Sequence, residues 1–276
     1  MSHSATDWQL EKGEKWVANL QHLDALLAPV DAPLISALGL DRPYRVADIG
    51  CGGGATTVEI QTQSPAGTFV HGFDVSGLMV EAARDRVRRL NLDIWFDEKD
   101  VANSLPDHRY DRLCSRFGVM FFDEPARAFA NLSAWLNRGA RFAFAVWADP
   151  AANPWMTTVR DAVASVVELD PPEPDAPGPF RYADSESLLS VLSAAGFKDL
   201  ATQSWRNPLP IGGNLAPARA ADVALSSFAT FATRLEKAGP DAYAAAKQRL
   251  TSAFEPHYRG DAVWMDAAVH IVTGGV

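Results

Sequence analysis

The chain has 276 residues, 47% of them hydrophobic and 21% charged, enough to bury a full core in one large domain or one domain with a cap. A formal charge of −9 excludes a phosphate-tracking surface, which needs lysine and arginine in excess to displace counterions. Two cysteines, Cys51 and Cys114, exclude a disulfide framework or a thiolate metal site, and no run approaches the roughly 20 apolar residues of a membrane span. The opening "MSHSATDWQL" has neither the basic nor the apolar region of a signal peptide, so a reduced, cytoplasmic protein without nucleic-acid or membrane partners is expected.

In chain order, residues 7–38 read as a helical lead-in carrying Trp8, Trp16, Leu20, Leu23, Leu26 and Leu27. Apolar runs at 45–50, 68–74, 92–96, 110–117 and 141–147 read as parallel strands buried on both faces. Between them, a helix capped by Ser76 aligns Met79, Ala83, Val87 and Leu90 on one stripe. Another starts after Asp123, with Pro125 in its first turn, buries Phe129, Leu132 and Leu136, and stops at Gly139. "NPWMTTVRDAVASVVEL" is helical, "DPPEPDAPGPF" is loop, and "DSESLLSVLSAAGF" is a helix started by Asp184 and ended by Gly196. Strand-like "DLATQSW", Ala-rich helices over 215–255 and a long strand over 262–274 complete the chain. Such βαβ alternation implies an open, doubly wound sheet that binds its ligand at the carboxyl ends of the strands.

The glycine turn after the first strand parses two ways. Gly50, Gly52 and Ala55 satisfy the dinucleotide pattern G-x-G-x-x-G/A, while Asp48, Gly50, Gly52 and Gly54 satisfy an acidic-x-G-x-G-x-G pattern. Asp74, ending the second strand, suits the two hydroxyls of a ribose, which both a nicotinamide and an adenosyl ligand carry. Asp100, just past the third strand, is placed for the exocyclic amine of an adenine, and suits an adenosine whose far end is an amino acid. A nicotinamide reductase finds its support in Tyr243 and Lys247, spaced Tyr-x-x-x-Lys. That pair, however, lies far past the fifth strand, where Tyr243, Leu250 and Phe254 form an ordinary buried stripe.

"VADIGCGGGATT", "GFDVSGLMVEAAR", "EKDVANSLP" and "DRLCSRFGVMFFDEPARAFANLSAWLNRGARFAFAVW", in that order, resemble the class I S-adenosylmethionine-dependent methyltransferases. The resemblance is to the bacterial small-molecule branch near the UbiE-type and methyltransferase-11/25 groups, and its motifs cover residues 44–148. It implies an α/β fold: a Rossmann-like sheet of seven strands in the order 3-2-1-4-5-7-6, the last antiparallel, with residues 199–206 and 263–273 as strands six and seven. One domain over 1–276 would then comprise a helical lead-in or cap at 1–38, the core at 44–148, and cap insertions at about 150–180 and 210–260. It also implies S-adenosylmethionine as cofactor and a small-molecule acceptor as partner. By position, Asp48 would anchor the loop and the ligand's ammonium side, and Gly50, Cys51 and Gly52 would pass backbone against the methionine portion. Asp74 would take the ribose, Val75 and Met79 would contact ribose and adenine, and Asp100 and Val101 would bind the adenine. Ser115 would present its carbonyl to the methionine, with Arg116 adjacent. Trp16, Phe117, Phe121 and Trp155 are the candidates for a lid or substrate wall.

Methyl transfer is an in-line displacement from a cationic sulfur, so orientation is the main task and can supply roughly 7–11 kcal/mol. A base is optional for a good nucleophile. His22 and His257, in the cap, are the candidates, and no residue is assigned as catalytic. An Asn/Asp-Pro-Pro-aromatic motif after strand four and a Pro-Cys motif are both missing, which argues against nucleic-acid methylation. The strand ends carry too few acids for a metal. A protein that binds the adenosyl ligand without catalysis is a further alternative, and the acceptor atom and oligomeric state stay open.

Overall fold

The computed structural model describes residues 17–171, 173 and 175–276; Trp8 and Trp16 therefore lie outside the described residues. The first described elements are α1 (Leu20–Leu27) and α2 (Asp31–Leu38), which bury Leu23, Leu26, Leu27, Leu34 and Leu38. The core alternates β1 (Arg45–Ile49), α3 (Ala55–Gln63), β2 (Phe69–Asp74), α4 (Gly77–Leu90), β3 (Trp95–Glu98), β4 (Tyr110–Arg116), α5 (Pro125–Ala134) and β5 (Leu136–Trp147). It is followed by α6 (Pro154–Ala164), α7 (Ser185–Ala194), β6 (Lys198–Ile211), α8 (Pro217–Ser227), α9 (Ala229–Ala238), α10 (Pro240–Phe254), β7 (Tyr258–Arg259) and β8 (Ala262–Gly275).

The sheet runs β3-β2-β1-β4-β5-β8-β6. Strands β1 to β5 are mutually parallel and β8 is antiparallel to both β5 and β6, which is the expected order. The two-residue β7 pairs with the start of β8 and adds an eighth strand not foreseen in the sequence. The core sits where Phe73, Tyr110 and Trp135 meet edge to face and stacked, with Phe142 and Phe144 under α5 and α7. Among the described residues no helix is long and apolar enough to cross a membrane.

Several boundaries differ from the sequence reading. The third strand occupies 95–98 rather than 92–96, because Asn91 adopts a left-handed conformation and Leu92 donates back to Val87 O, spending 91–93 on ending α4. As the sheet edge it leaves Trp95 58% exposed, and Leu90 at the end of α4 is exposed as well, so neither is core. Helix α5 ends at Ala134 rather than at Gly139: Trp135 is fully buried as its C-cap, and β5 starts at once, with Gly139 (φ +78°) as a bend within it. Its start is also uncapped by a side chain, with Glu124 in the cap position and Pro125 next. Both terminal strands are longer than their expected spans. The caps at Ser76 and Asp184 do form: Ser76 Oγ accepts from the Met79 N–H and Asp184 Oδ1 from the Glu186 N–H.

Candidate active site

The carboxyl ends of β1, β2 and β4 converge on a cleft of about 270 Å³. Its floor is the bend after β1. Gly50 (φ +67°) carries no side chain for a steric reason: a Cβ there would lie 2.9 Å from Gly118 Cα, where the chain leaves β4. The Gly50 and Cys51 N–H groups both donate to Phe73 O, and the Gly52 N–H donates to Asp74 Oδ2 at 2.9 Å, so the bend is tied to the end of β2. Gly54 then starts α3, whose unpaired N-terminal amides lie beside the bend.

Three of the acids bordering this cleft lie at or just past the ends of β1, β2 and β3. Asp48 is buried, with Oδ2 accepting from Thr57 Oγ1 at 2.7 Å, and burial pushes its carboxyl up to about 7 despite the pull of Arg116. Asp74 is likewise raised by burial, while the N–H groups of Ser76 and Gly52 hold its two oxygens and pull the other way. Asp100 organises the loop beyond β3: Oδ1 accepts from the Ala102 N–H at 3.0 Å and Oδ2 from Asn103 Nδ2 at 2.7 Å. Among the described residues, lining carboxylates number six (Asp24, Asp48, Asp74, Asp100, Asp123, Glu124) against three cations (Lys99, Arg116, Arg127). The field of such a cleft favours a cationic ligand.

Of the residues singled out from sequence, Asp48, Gly50, Cys51, Gly52, Asp74, Val75, Met79, Asp100, Val101, Arg116, Phe117 and Phe121 all line this cleft. Ser115 does not: it is fully buried and its hydroxyl donates to Ile49 O at 2.7 Å, bracing β4 against β1. Trp155 lines a neighbouring chamber instead, and Trp16 lies outside the described residues. His22 borders that chamber too, whereas His257 is exposed and lines neither cavity. Tyr243 and Lys247 also line neither; both bond Asp222, at 3.2 and 2.8 Å, and clamp α10 to α8. Burial drives both thiols well above their ordinary range, and both cysteines are free. Among the described residues, no three His, Cys, Asp or Glu side chains cluster to hold a metal ion.

Three contributors were missed. Asp31, 5% exposed on α2, forms a buried ion pair with Arg116 (Nη1 to Oδ2, 2.9 Å) and accepts from Thr56 Oγ1 at 2.9 Å. Burial raises Asp31 against the pull of Arg116, and this pair fixes the guanidinium at the cleft wall. Leu20 of α1 lies so close over the bend that a Cβ on Gly53 would meet its Cδ2 at 2.5 Å. Asn131 holds the Asp100 loop from α5, donating to Val101 O and Ser104 O. Nothing in the local sequence around Asp31, Leu20 or Asn131 distinguishes them from ordinary helix residues.

Glycine bend, strand-end acids and sheet order together define a Rossmann-like α/β domain with a ligand cleft at the carboxyl ends of its strands. Residues 46–139 match the family model for a methyltransferase domain. The chain is 32% identical over 117 residues to a demethylmenaquinone methyltransferase of Porphyromonas gingivalis, covering 41% of this chain and 47% of that protein. It is 30% identical over 105 residues to the aklanonic acid methyltransferase DauC of Streptomyces sp. (strain C5), covering 36% and 46% respectively. The chain thus spans about half the length of these curated relatives. The crystal structure of the YcgJ protein of Bacillus subtilis superposes with a TM-score of 0.57 at 16% identity, over 90% of this chain and 97% of that one, a likeness of fold.

Proposed function

We propose that this protein transfers a methyl group from S-adenosylmethionine to a small-molecule acceptor. The observation that carries this reading is the acid-rich cleft itself: Asp48, Asp74 and Asp100 border one cavity whose floor is bare glycine backbone. The residues fit the cofactor. A cationic sulfur and ammonium suit a cleft with twice as many carboxylates as cations, and the pyrophosphate of a nicotinamide dinucleotide does not. When bound, the cofactor supplies an electrophilic methyl on a positively charged sulfur.

The chain's own contribution is placement. Asp74 and Asp100 would hold the ribose and adenine, with Val75, Met79 and Val101 packing on them. Asp48, the amides of the bend and the Asp31-anchored Arg116 would hold the amino-acid end. Among the described residues, Leu23, Leu27, Phe117 and Phe121 line both the cleft and the adjoining chamber, and none of the four is titratable. Transfer at that junction would work chiefly by orientation and exclusion of water, with the acceptor's proton passing to solvent. In this reading the lead-in, the 44–148 core and the insertions near 150–180 and 210–260 act as one domain.

The relatives' own names, demethylmenaquinone methyltransferase and aklanonic acid methyltransferase, support a small-molecule acceptor, and the charge of −9 argues against nucleic acid. Two free, buried cysteines are consistent with a reduced, cytoplasmic setting. The test is a calorimetric titration with adenosylhomocysteine and with NADH, followed by a labelled-methyl screen of phenols, quinols, thiols and amines. Binding of adenosylhomocysteine and labelling of one acceptor class is the expected result. Binding of NADH alone overturns the proposal, and cofactor binding with no acceptor labelled supports a non-catalytic binding protein.

A further inference from the structure

Beside the cofactor cleft lies a second, open-sided cavity of about 1620 Å³, bordered by α1, the turn after β4, the end of β5, α6, described residues of the loop between α6 and α7, the end of β6, α8 and α9. Five of its lining side chains form a continuous file of rings. Phe117 stacks on Trp147 (centroids 4.1 Å, 7°), Trp147 meets Trp155 edge to face at 5.4 Å, Trp155 meets Phe228 at 6.1 Å, and Phe228 meets Phe231 at 5.6 Å. The file begins at the junction, since Phe117 lines both cavities, and ends on α9. Phe117 holds its place at a backbone φ of +66°, a left-handed conformation that a bulky residue rarely adopts. Such strain persists where the surroundings over-determine it, and here it lays the ring flat on Trp147 at the point where acceptor and cofactor would meet.

The charges around this chamber do not select an anion. Its lining holds four basic side chains other than His22 (Arg160, Arg181, Arg234, Lys237) against five carboxylates. Arg234 pairs with Asp170 and donates to Glu168 O, and Arg181 donates to Phe122 O, so two of the four are already spent within the protein. What the chamber offers along its length is ring faces and edges, which reward an arene with specific geometry beyond simple burial, whereas an alkyl chain gains burial alone.

We propose that the ring-lined chamber is the acceptor site and that it takes an uncharged, planar acceptor of several fused rings, a polycyclic phenol or quinol, presented with one edge at Phe117. This rests on the methyltransferase reading for its role, though not for the binding itself. The test is quenching of tryptophan fluorescence by 1,8-dihydroxyanthraquinone, with and without saturating adenosylhomocysteine. 4-Methylphenol, dodecanol and 1-naphthyl phosphate serve as the single-ring, aliphatic and anionic comparisons. Dihydroxyanthraquinone is expected to bind at least tenfold more tightly than each comparison and without competing with adenosylhomocysteine. Phe228→Leu and Phe231→Leu, which keep apolar bulk at half-buried positions, are each expected to weaken it about three- to tenfold without moving the affinity for adenosylhomocysteine. Equal binding of dodecanol or naphthyl phosphate, competition with adenosylhomocysteine, or unchanged affinity in both leucine variants overturns the proposal. Failure of adenosylhomocysteine to bind removes the cofactor reading instead, and leaves the anthraquinone titration to decide the chamber.

Discussion

Asp48→Asn separates the electrostatics of the site from its packing. The wild-type side chain is 1% exposed, accepts from Thr57 Oγ1, and faces Arg116 as well as the carboxylates of Asp31 and Asp74. Burial lifts it from 3.8 to about 7. Between those values the folded protein holds a proton that the unfolded chain has released. Stability rises with pH only where the unfolded state binds more protons, so across this window the wild type loses stability as pH rises. About three units at 1.36 kcal/mol each give a loss on the order of 4 kcal/mol by pH 8. Asparagine keeps the shape without the charge and escapes that loss. Urea unfolding of both proteins between pH 4.5 and 8 should therefore show the variant gaining on the wild type by up to that amount. Curves that stay parallel over the whole range would refute the claim that buried Asp48 is protonated below neutral pH. The same linkage reaches function. A cationic ligand beside Asp48 lowers its pKa, so binding at pH 7 should expel a fraction of a proton, read by calorimetry in buffers of different ionisation heat. Asp48→Asn should bind more weakly and release less.

Gly50→Ala places a β-carbon 2.9 Å from Gly118 Cα at a φ of +67°. We expect a loss of about 2–3 kcal/mol in stability and at least tenfold in adenosylhomocysteine affinity, measured by denaturant melts and calorimetry. Asp100→Ala removes the acceptor for the Ala102 N–H and Asn103, but Asn131 still pins the loop from α5. Its stability cost should stay near 1 kcal/mol while ligand affinity falls about ten- to a hundredfold; an unchanged Kd would remove Asp100 from the site. Tyr243→Phe deletes one 3.2 Å bond to Asp222, and neither residue lines either cavity, so it should cost about 0.5–1.5 kcal/mol in stability and leave methyl transfer unchanged. Loss of turnover in that variant would revive the reductase.

The legible part of this protein is the part whose geometry is local. Strand β1, the bend at 50–54 and α3 are consecutive, so the glycine spacing and the acid at each strand end could be read directly, and the sheet order followed with the family resemblance. The same stretch, 46–139, is what matches the family model. Asp31 joins the site only because α2 packs against β4 and brings a carboxylate to Arg116, 85 residues later in the chain. Trp155, expected as a lid or substrate wall, lines a chamber assembled from segments far apart in the chain, and no spacing rule connects Leu23 with Phe231.

This division carries a functional consequence. The cofactor cleft is built by the parallel strands, whose hydrogen-bonded register fixes Asp48 and Asp74 relative to each other. The chamber sets the strand-end residues Trp147 and Ile211 against elements outside that register, α1, α6, α8, α9 and the loop between α6 and α7. In the proposed reading, cofactor binding would therefore rest on the strand ends and the glycine bend, while acceptor choice would rest largely on side chains of the added helices. Phe117 stands at the boundary: its backbone N–H still donates to Ala145 O as a continuation of β4, and its ring opens the aromatic file. Substitution there would disturb both halves, whereas substitution at Phe228 or Phe231 reaches the chamber alone.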